Sequence, residues 1–394
     1  MYHPKTKIIQ ITYETKDTYI SKDGVLTVPC DTHKVICTDL KLALLVIPEE
    51  LEELDCSHNN LTCLKIPHTL QKLNCSFNKL CSIEFSKGGE FYSEPIQPKI
   101  TTLTCSCNSL SFLDVPESVK YLQCAHNQLK SIKVPDILES LYCYHNQLKS
   151  IIVPKSIEIL ICSNNLLECL DIPESIKVLS CSYNRLEYLR IADIQPFFRS
   201  LSCSHNQLKN IIVPESVRVL DCSHNQLKNI IVPKSIKDLG CSDNQLENIS
   251  ELPLGITKIH CSNNLLSTLD VPKSVKVLCC NDNSLTTLDV PNTISILRCK
   301  NNPFLPHTEN FSMPSLKDLC ISMIMMCGID IRDTVKITDI IEYSKLFKKC
   351  RLCPMFTKNI VYITKHHEKV DHSYTSKEYW CGCMKTEKLI EGSS

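Results

Sequence analysis

The residues with the greatest capacity for chemistry are the cysteines, of which the chain holds 26. Four of them, Cys350, Cys353, Cys381 and Cys383, form a C-x2-C…C-x-C pattern near the C-terminus. Two close thiolate pairs bracketing a short strand-like stretch, Ile360–Ile363, can close a tetrahedral zinc site. A tail with little core of its own gains from such a clip. His366, His367 and His372 are substitute ligands. The same four thiols can equally stand as unliganded cysteines of a terminal cap, and both readings stay open. A catalytic zinc is not expected, because no Glu or His partner sits at a recognisable spacing.

Fourteen other cysteines are evenly spaced: Cys37, Cys56, Cys75, Cys105, Cys124, Cys143, Cys162, Cys181, Cys203, Cys222, Cys241, Cys261, Cys280 and Cys299. Each fills an apolar slot two residues after a Leu or its equivalent. A row of sulfurs at strand spacing is a poor zinc cage, and in-register parallel neighbours suit disulfides poorly. Free, inert, buried thiols are expected, which agrees with a reducing compartment. Histidines recur two residues after these cysteines, at His58, His126, His145, His205 and His224. Stacked imidazoles would bind a metal or respond to pH; copied rim residues are the plainer reading. No nucleophile elbow, P-loop, HExxH, kinase or dinucleotide signature is present, and eight Gly are few for a phosphate-cradling enzyme.

What positions these residues is a repeat. The pattern L-x-C-x-x-N-x-L recurs thirteen times. Its Asn falls at Asn59, Asn78, Asn108, Asn127, Asn146, Asn165, Asn184, Asn206, Asn225, Asn244, Asn264, Asn283 and Asn302. Nine of the twelve intervals are 19 residues; the others are 30, 22 and 20. The segment Cys203–Pro214, CSHNQLKNIIVP, returns verbatim at Cys222–Pro233, the trace of a tandem duplication. Alternation in L-x-C puts both side chains on one face of a short strand. One unit cannot bury that face alone, but stacked units share a continuous core. The Asn sits where the chain turns inward, and its amide can satisfy neighbouring backbone groups, so these thirteen residues are expected to form a buried structural ladder. Pro, as in Val153-Pro154, fixes an extended segment on the opposite wall.

On the L-x-x-L-x-L-x-x-N-x-L core, with Cys in the third apolar slot, residues 28–305 resemble the leucine-rich repeat family. The short period and its Pro resemble repeats of bacterial effector proteins. The Cys-Ser-x-Asn flavour is similar to repeats of mimivirus-type giant DNA viruses. The resemblance implies an α/β solenoid-type fold: a right-handed superhelix with a parallel β-sheet on the concave face. Its convex face would be mainly non-helical, extended or 3-10, because 19 residues leave no room for a helix there.

The ends depart from the pattern. Residues 1–27 are expected to form an N-terminal β-hairpin cap, pairing Lys7–Tyr13 with Val25–Val28 through Lys22-Asp23-Gly24. Residues 28–47 read as a degenerate first repeat with Leu40 in the Asn slot. An insertion at 85–99 should bulge as a loop. Residues 306–394 read as a small α+β C-terminal cap, with helices at Pro314–Cys327 and Thr338–Lys348 followed by the Cys-rich segment.

The ligand surface is expected on the outward positions of the strands, which include Asn74 and Thr104. Tyr121, Gln123, Tyr142, Tyr144, Ile159, Ile161, Asp221, His260 and Arg298 are the candidate partner-binding residues, since Tyr and exposed apolar groups anchor interfaces. Ser dominates the position after Cys, a strip expected to be smooth and chemically plain. Lys plus Arg and Asp plus Glu balance at 43 each, which argues against a basic field for nucleic acid. The longest apolar runs, Leu42–Ile47 and Ile321–Cys327, fall short of the roughly 20 residues of a membrane span. Met1–Lys5 leads into an alternating segment and not into an apolar signal core. A cytoplasmic, non-enzymatic scaffold with a protein partner is therefore expected. A substrate-recruiting component of a ubiquitin ligase and a structural virion protein are the alternatives.

Overall fold

The computed structural model describes residues 8–11, 20–86, 97–191, 196–249 and 251–304, and beyond them only the backbone strands Ile360–Thr364, Lys377–Cys381 and Glu387–Leu389. The chain divides into two compact units, Met1–Gln226 and Leu227–Ser394.

In the first unit each coil contributes one three-residue strand to a parallel sheet. Lys34–Ile36, Glu53–Asp55, Lys72–Asn74, Thr102–Thr104 and Tyr121–Gln123 are followed by Ser140–Tyr142, Ile159–Ile161, Val178–Ser180, Ser200–Ser202 and Val219–Asp221. They pair in register, so Leu122 lies between Leu103 and Leu141. The central Leu of each strand and the Cys two residues on face inward and are buried. In the second unit Asp238–Gly240, Lys258–His260, Val277–Cys279 and Ile296–Arg298 repeat the arrangement.

The strand ends because the second residue after each Cys takes a left-handed backbone. From His58 to Asn301 these residues have φ between 53° and 57°. That conformation costs a non-glycine residue about 1–2 kcal/mol and is tolerated best by Asn, Asp and His. The sequence supplies those types at His58, His126, His145, Asn164, His205, His224, Asp243, Asn263, Asp282 and Asn301.

The reversal aims the following Asn into the coil. Asn146 donates through Nδ2 to the carbonyls of Cys124 (3.0 Å) and Cys143 (3.1 Å), and its Oδ1 accepts the Leu129 N–H at 3.0 Å. The same Oδ1 contact, to a Leu N–H of the coil before, recurs along the ladder. In the first unit Asn78 accepts from Leu61, Asn108 from Leu80, Asn127 from Leu110 and Asn165 from Leu148. Asn184, Asn206 and Asn225 accept from Leu167, Leu186 and Leu208. In the second unit Asn244, Asn264, Asn283 and Asn302 accept from Leu227, Leu246, Leu266 and Leu285.

The burial expected of this ladder holds for Asn59, Asn127, Asn146, Asn165, Asn206, Asn225, Asn264 and Asn283. Asn78, Asn108, Asn184, Asn244 and Asn302 are only partly buried, although Asn78, Asn108, Asn184 and Asn302 still donate to the Cys carbonyl of the coil before and Asn244 to Cys241 O of its own coil. The contact geometry is thus common to all, and the solvent cover over it is not. In the degenerate first coil Leu40 is buried, and Asn59 of the next coil accepts the N–H groups of both Leu40 and Leu42.

The opposite wall consists of extended segments and turns; no helix, α or 3-10, occurs among the described residues. Short parallel pairs form there, such as Cys63–Ile66 with Ser82–Phe85 and Cys169–Ile172 with Tyr188–Ile191. The Pro of the closing motif starts a turn in which its carbonyl accepts an N–H three residues later, as from Val119 to Pro116 at 3.1 Å. The Ser of the P-x-S motif then donates to the preceding coil, Ser156 Oγ to Leu138 O and Ser118 Oγ to Ile100 O, both at 2.7 Å. This hydroxyl ladder explains the recurrent Ser of the motif.

The N-terminal segment differs from the expected hairpin. Ile8–Gln10 pairs parallel with Lys34–Ile36 on the main sheet, whereas Val25–Thr27 pairs parallel with Leu44–Val46 on the other wall. The two stretches are thus one further coil, because parallel addition satisfies the open edge in the same register as every later strand. Among the described residues of this segment, the antiparallel element is the tight turn before Leu26, which bridges Ile20. Gly24, with φ 73°, donates there to Ser21 O at 3.0 Å.

The long interval begins later than expected, since Phe85 ends a strand and the Ser86 N–H still bonds Ile66 O at 2.8 Å. The chain returns with Lys99 N–H on His68 O at 2.9 Å. Residues 87–96 between these anchors lie outside the described residues. Phe198 is fully buried in the slot that Ile157 and Ile176 fill elsewhere, within the 22-residue interval from Asn184 to Asn206. The expected helices at Pro314–Cys327 and Thr338–Lys348 lie outside the described residues. Of the tail, Ile360–Thr364, Lys377–Cys381 and Glu387–Leu389 form an antiparallel sheet, with Ile360 opposite Cys381.

Candidate functional site

The side chains of the strands alternate, so the first and third residues of each stand on the sheet face away from the core. In the first unit this places Tyr121, Gln123, Tyr142, Ile159, Ile161 and Asp221 on that face, all partly exposed. The Tyr121 and Tyr142 rings lie 5.5 Å apart at 42°, and the Tyr121 hydroxyl donates to Gln123 Oε1 at 3.3 Å. Burial and the neighbouring phenols of Tyr142 and Tyr144 raise the Tyr121 pKa, which keeps its hydroxyl a donor. Nearer the N-terminus the same face is ionic. Glu53 bridges Lys72 (2.8 Å) and Lys34 (2.9 Å) on its two neighbouring strands, and these ammonium groups hold its carboxyl below the usual range. Exposed pairs of this kind contribute little to stability. His260 and Arg298 occupy the corresponding face of the second unit.

Beyond the strands the left-handed residues form a ridge of rings. His126 and His145 stack at 4.3 Å and 14°, His205 and His224 at 3.9 Å and 14°, and Tyr183 and His205 at 4.0 Å and 12°. His58 and Phe77 stack at 4.3 Å and 10°. The Tyr144 ring meets His126 edge-on at 5.2 Å. Partial burial, and then the charge of neighbouring His145, lower the His126 pKa.

Between Phe77 and His126 the ridge residue is Cys107, and there the surface opens into a groove of about 440 Å³. Its floor is Ser76, Ser106 and Thr104, its sides Phe77, His126 and Tyr144, and its far edge Asn74 and Gln123. No Asp, Glu, Lys or Arg lines it. The strip of Ser after each Cys is therefore not plain. Several of these hydroxyls are paired, as Ser182 with Ser202 at 2.8 Å and Ser163 with Ser180 at 2.9 Å. Ser106 is the departure: its N–H donates to Ser76 Oγ at 3.1 Å, but its own buried Oγ has no partner. Sequence reasoning named Asn74, Thr104, Gln123 and Tyr144 but missed Phe77, Ser106 and Cys107. The available signal was the replacement of His by Phe and Cys at the ridge position.

The ladder cysteines are buried, and none of them forms a disulfide among the described residues. Burial pushes the thiols of Cys124 and Cys181 up to about 12, so they are protonated and unreactive at neutral pH. Cys30, Cys63, Cys81 and Cys169 are exposed. No cluster of three or more His, Cys, Asp or Glu able to hold a metal occurs among the described residues. Cys350, Cys353 and Cys383 lie outside them, and Cys381 is described only as the backbone end of its strand. No helix among them is long and apolar enough to cross a membrane.

One short strand, one left-handed residue and one inward Asn per coil define a parallel solenoid repeat protein. Residues 50–73 match the Leucine Rich Repeat family, and solved leucine-rich repeat structures share the solenoid. YopM from Yersinia enterocolitica WA-314 is 22% identical, with a TM-score of 0.60 over 71% of this chain and 69% of that one. YopM from Yersinia pestis, described as a leucine-rich effector protein, is 25% identical, with a TM-score of 0.59 over 73% of this chain and 83% of that one. The functional domain of InlJ from Listeria monocytogenes, described as including a cysteine ladder, is 24% identical, with a TM-score of 0.52 over 64% of each chain. No curated protein sequence matches the chain.

Proposed function

We propose that the protein is a non-enzymatic scaffold that binds a partner protein on the exposed, concave face of its sheet. The observation that carries this reading is the cluster of Tyr121, Gln123, Tyr142, Ile159 and Ile161 on consecutive strands, outside the core and flanked by Tyr144. Tyr presents a large ring at low entropic cost together with a polar tip, and a contiguous aromatic and aliphatic patch on a rigid sheet suits a protein surface. The likeness to a leucine-rich effector protein supports the same class of role. The ladder thiols, buried and in no disulfide among the described residues, support a cytoplasmic, reducing setting. A structural zinc on Cys350, Cys353, Cys381 and Cys383 belongs to the proposal on ligand spacing alone, and elemental analysis of the purified chain tests it.

The scaffold reading is tested by affinity capture from cytosol with the wild-type chain and with Tyr121→Ala/Tyr142→Ala. A partner retained by the wild type and lost by the double variant, whose thermal unfolding stays unchanged, is the expected result. Equal capture by both overturns the assignment to this face.

A further inference from the structure

The ridge of rings in the first unit is interrupted twice, and the two interruptions differ. At Asn164, between His145 and Tyr183, a flat amide stands in the slot, and the adjacent Ser163 hydroxyl is paired with Ser180. At Cys107, between Phe77 and His126, a short thiol leaves the outer part of the slot open, and the adjacent buried Ser106 hydroxyl is unpaired. One coil step is about 4.8 Å, so Phe77 and His126 flank a space of about 9–10 Å. A single ring midway would lie about 4.5–5 Å from each, slightly wider than the 3.9–4.3 Å of the stacks already formed.

Resting on the scaffold reading, we propose that this groove seats one flat aromatic side chain of the partner protein, tyrosine or tryptophan, which completes the interrupted stack between Phe77 and His126. The ring edge meets the Cys107 sulfur, a favourable contact. Its hydroxyl or indole N–H faces the polar, partly exposed lining of Thr104, Asn74 and Gln123. The lining carries no Asp, Glu, Lys or Arg, which suits a neutral ring and offers no counter-charge to a phosphate. The groove adjoins Gln123 and Tyr144, so a partner lying on the sheet face reaches it without a gap.

The test uses the full chain with labelled histidines, read by NMR, and N-acetyl-tyrosinamide or N-acetyl-tryptophanamide as probe. Saturable ring-current shifts at His126, at millimolar probe, with His205 and His224 unmoved, are the expected result. N-acetyl-cyclohexylalaninamide, equal in bulk but not flat, should bind at least about tenfold more weakly. Cys107→Phe fills the slot with the side chain that Phe77 carries at the same backbone angle of 57° and should abolish the shifts. Should that variant not fold, Cys107→His, which places the ring that the neighbouring coils carry at the same backbone angle, should remove the probe-induced shifts in the same way. No shift at His126, undiminished binding by Cys107→Phe, or tighter binding of adenosine than of either amide overturns the proposal. A captured partner that binds Cys107→Phe as well as wild type overturns the ring site and leaves the sheet-face reading standing. Saturable amide binding with no captured partner does the reverse.

Discussion

Asn146 Oδ1 accepts the backbone N–H of Leu129, seventeen residues earlier, at 3.0 Å, while its Nδ2 holds Cys124 O and Cys143 O. One buried amide thus satisfies backbone groups of two coils that no strand pairing reaches. Removing it leaves them buried and unpaired. Asn146→Ala is expected to destabilise the protein by about 2–4 kcal/mol in urea unfolding, while Gln147→Ala, at an exposed neighbour, changes nothing measurable. Asn184→Ala, at a partly buried rung, should cost less than Asn146→Ala, because water reaches the groups it leaves. Equal midpoints for Asn146→Ala and Gln147→Ala would remove the ladder from the account of stability.

The thiols should divide by position. A maleimide added to the native protein should label Cys30, Cys63, Cys81 and Cys169 rapidly and Cys107 more slowly, with the ladder peptides unmodified by mass spectrometry. The ladder thiols are raised by burial, so the folded state retains protons that the unfolded state releases above pH about 9. Stability contributed by the protonated ladder is therefore whole below that value and lost as pH rises towards about 12. Alkaline unfolding should begin above pH about 9 and move to higher pH when Cys124 and Cys181 are both replaced by Ala or Val. An unmoved transition would show that the ladder does not control it.

His126 behaves in the opposite sense. Its pKa is lowered by burial and by His145, so the folded state binds a proton less readily than the unfolded chain. Stability is whole above the ordinary histidine value, about 6.5, and declines as pH falls below it. His126→Asn, which keeps a residue tolerant of the left-handed backbone, should flatten the melting temperature between pH about 7 and 5. An unchanged slope would assign the acid sensitivity elsewhere.

The left-handed position should reject branched side chains. His145→Val places a β-branched residue at φ 54° and is expected to cost about 1–2 kcal/mol, with His145→Asn costing less. The difference between the two melting curves isolates the backbone contribution from the lost stack with His126.

The coil was legible in the sequence because its interactions repeat with its period. Leu122 pairs with Leu141 one coil on and Asn127 donates to Cys105 O one coil back, and both contacts recur with the period, so spacing alone places these residues in the core. The outward cluster of Tyr121 and Tyr142 followed from the alternation of the strand. The hydroxyl ladder of Ser118 and Ser156 did not, since a Ser in a turn carries no signal of the carbonyl it will face. Nor did the place of Ile8–Gln10, because an alternating segment pairs equally well in either direction until a neighbour is present. The unequal burial of Asn78 and Asn127 was equally hidden, since both occupy the same slot and only the side chains around each one differ.

What the sequence determined by itself is the solenoid: apolar and Asn positions recurring at one interval leave a chain no other way to bury them. What only the tertiary structure decided is the groove. Phe77 and Cys107 hold the same place in successive copies of the repeat, but they stand 30 residues apart, across an interval unlike the rest, and the space between Phe77 and His126 is set by how the coils stack. They meet because coils stack by hydrogen-bond register and not by residue count: Leu73 pairs with Leu103 across the long interval as Leu103 pairs with Leu122 across a short one.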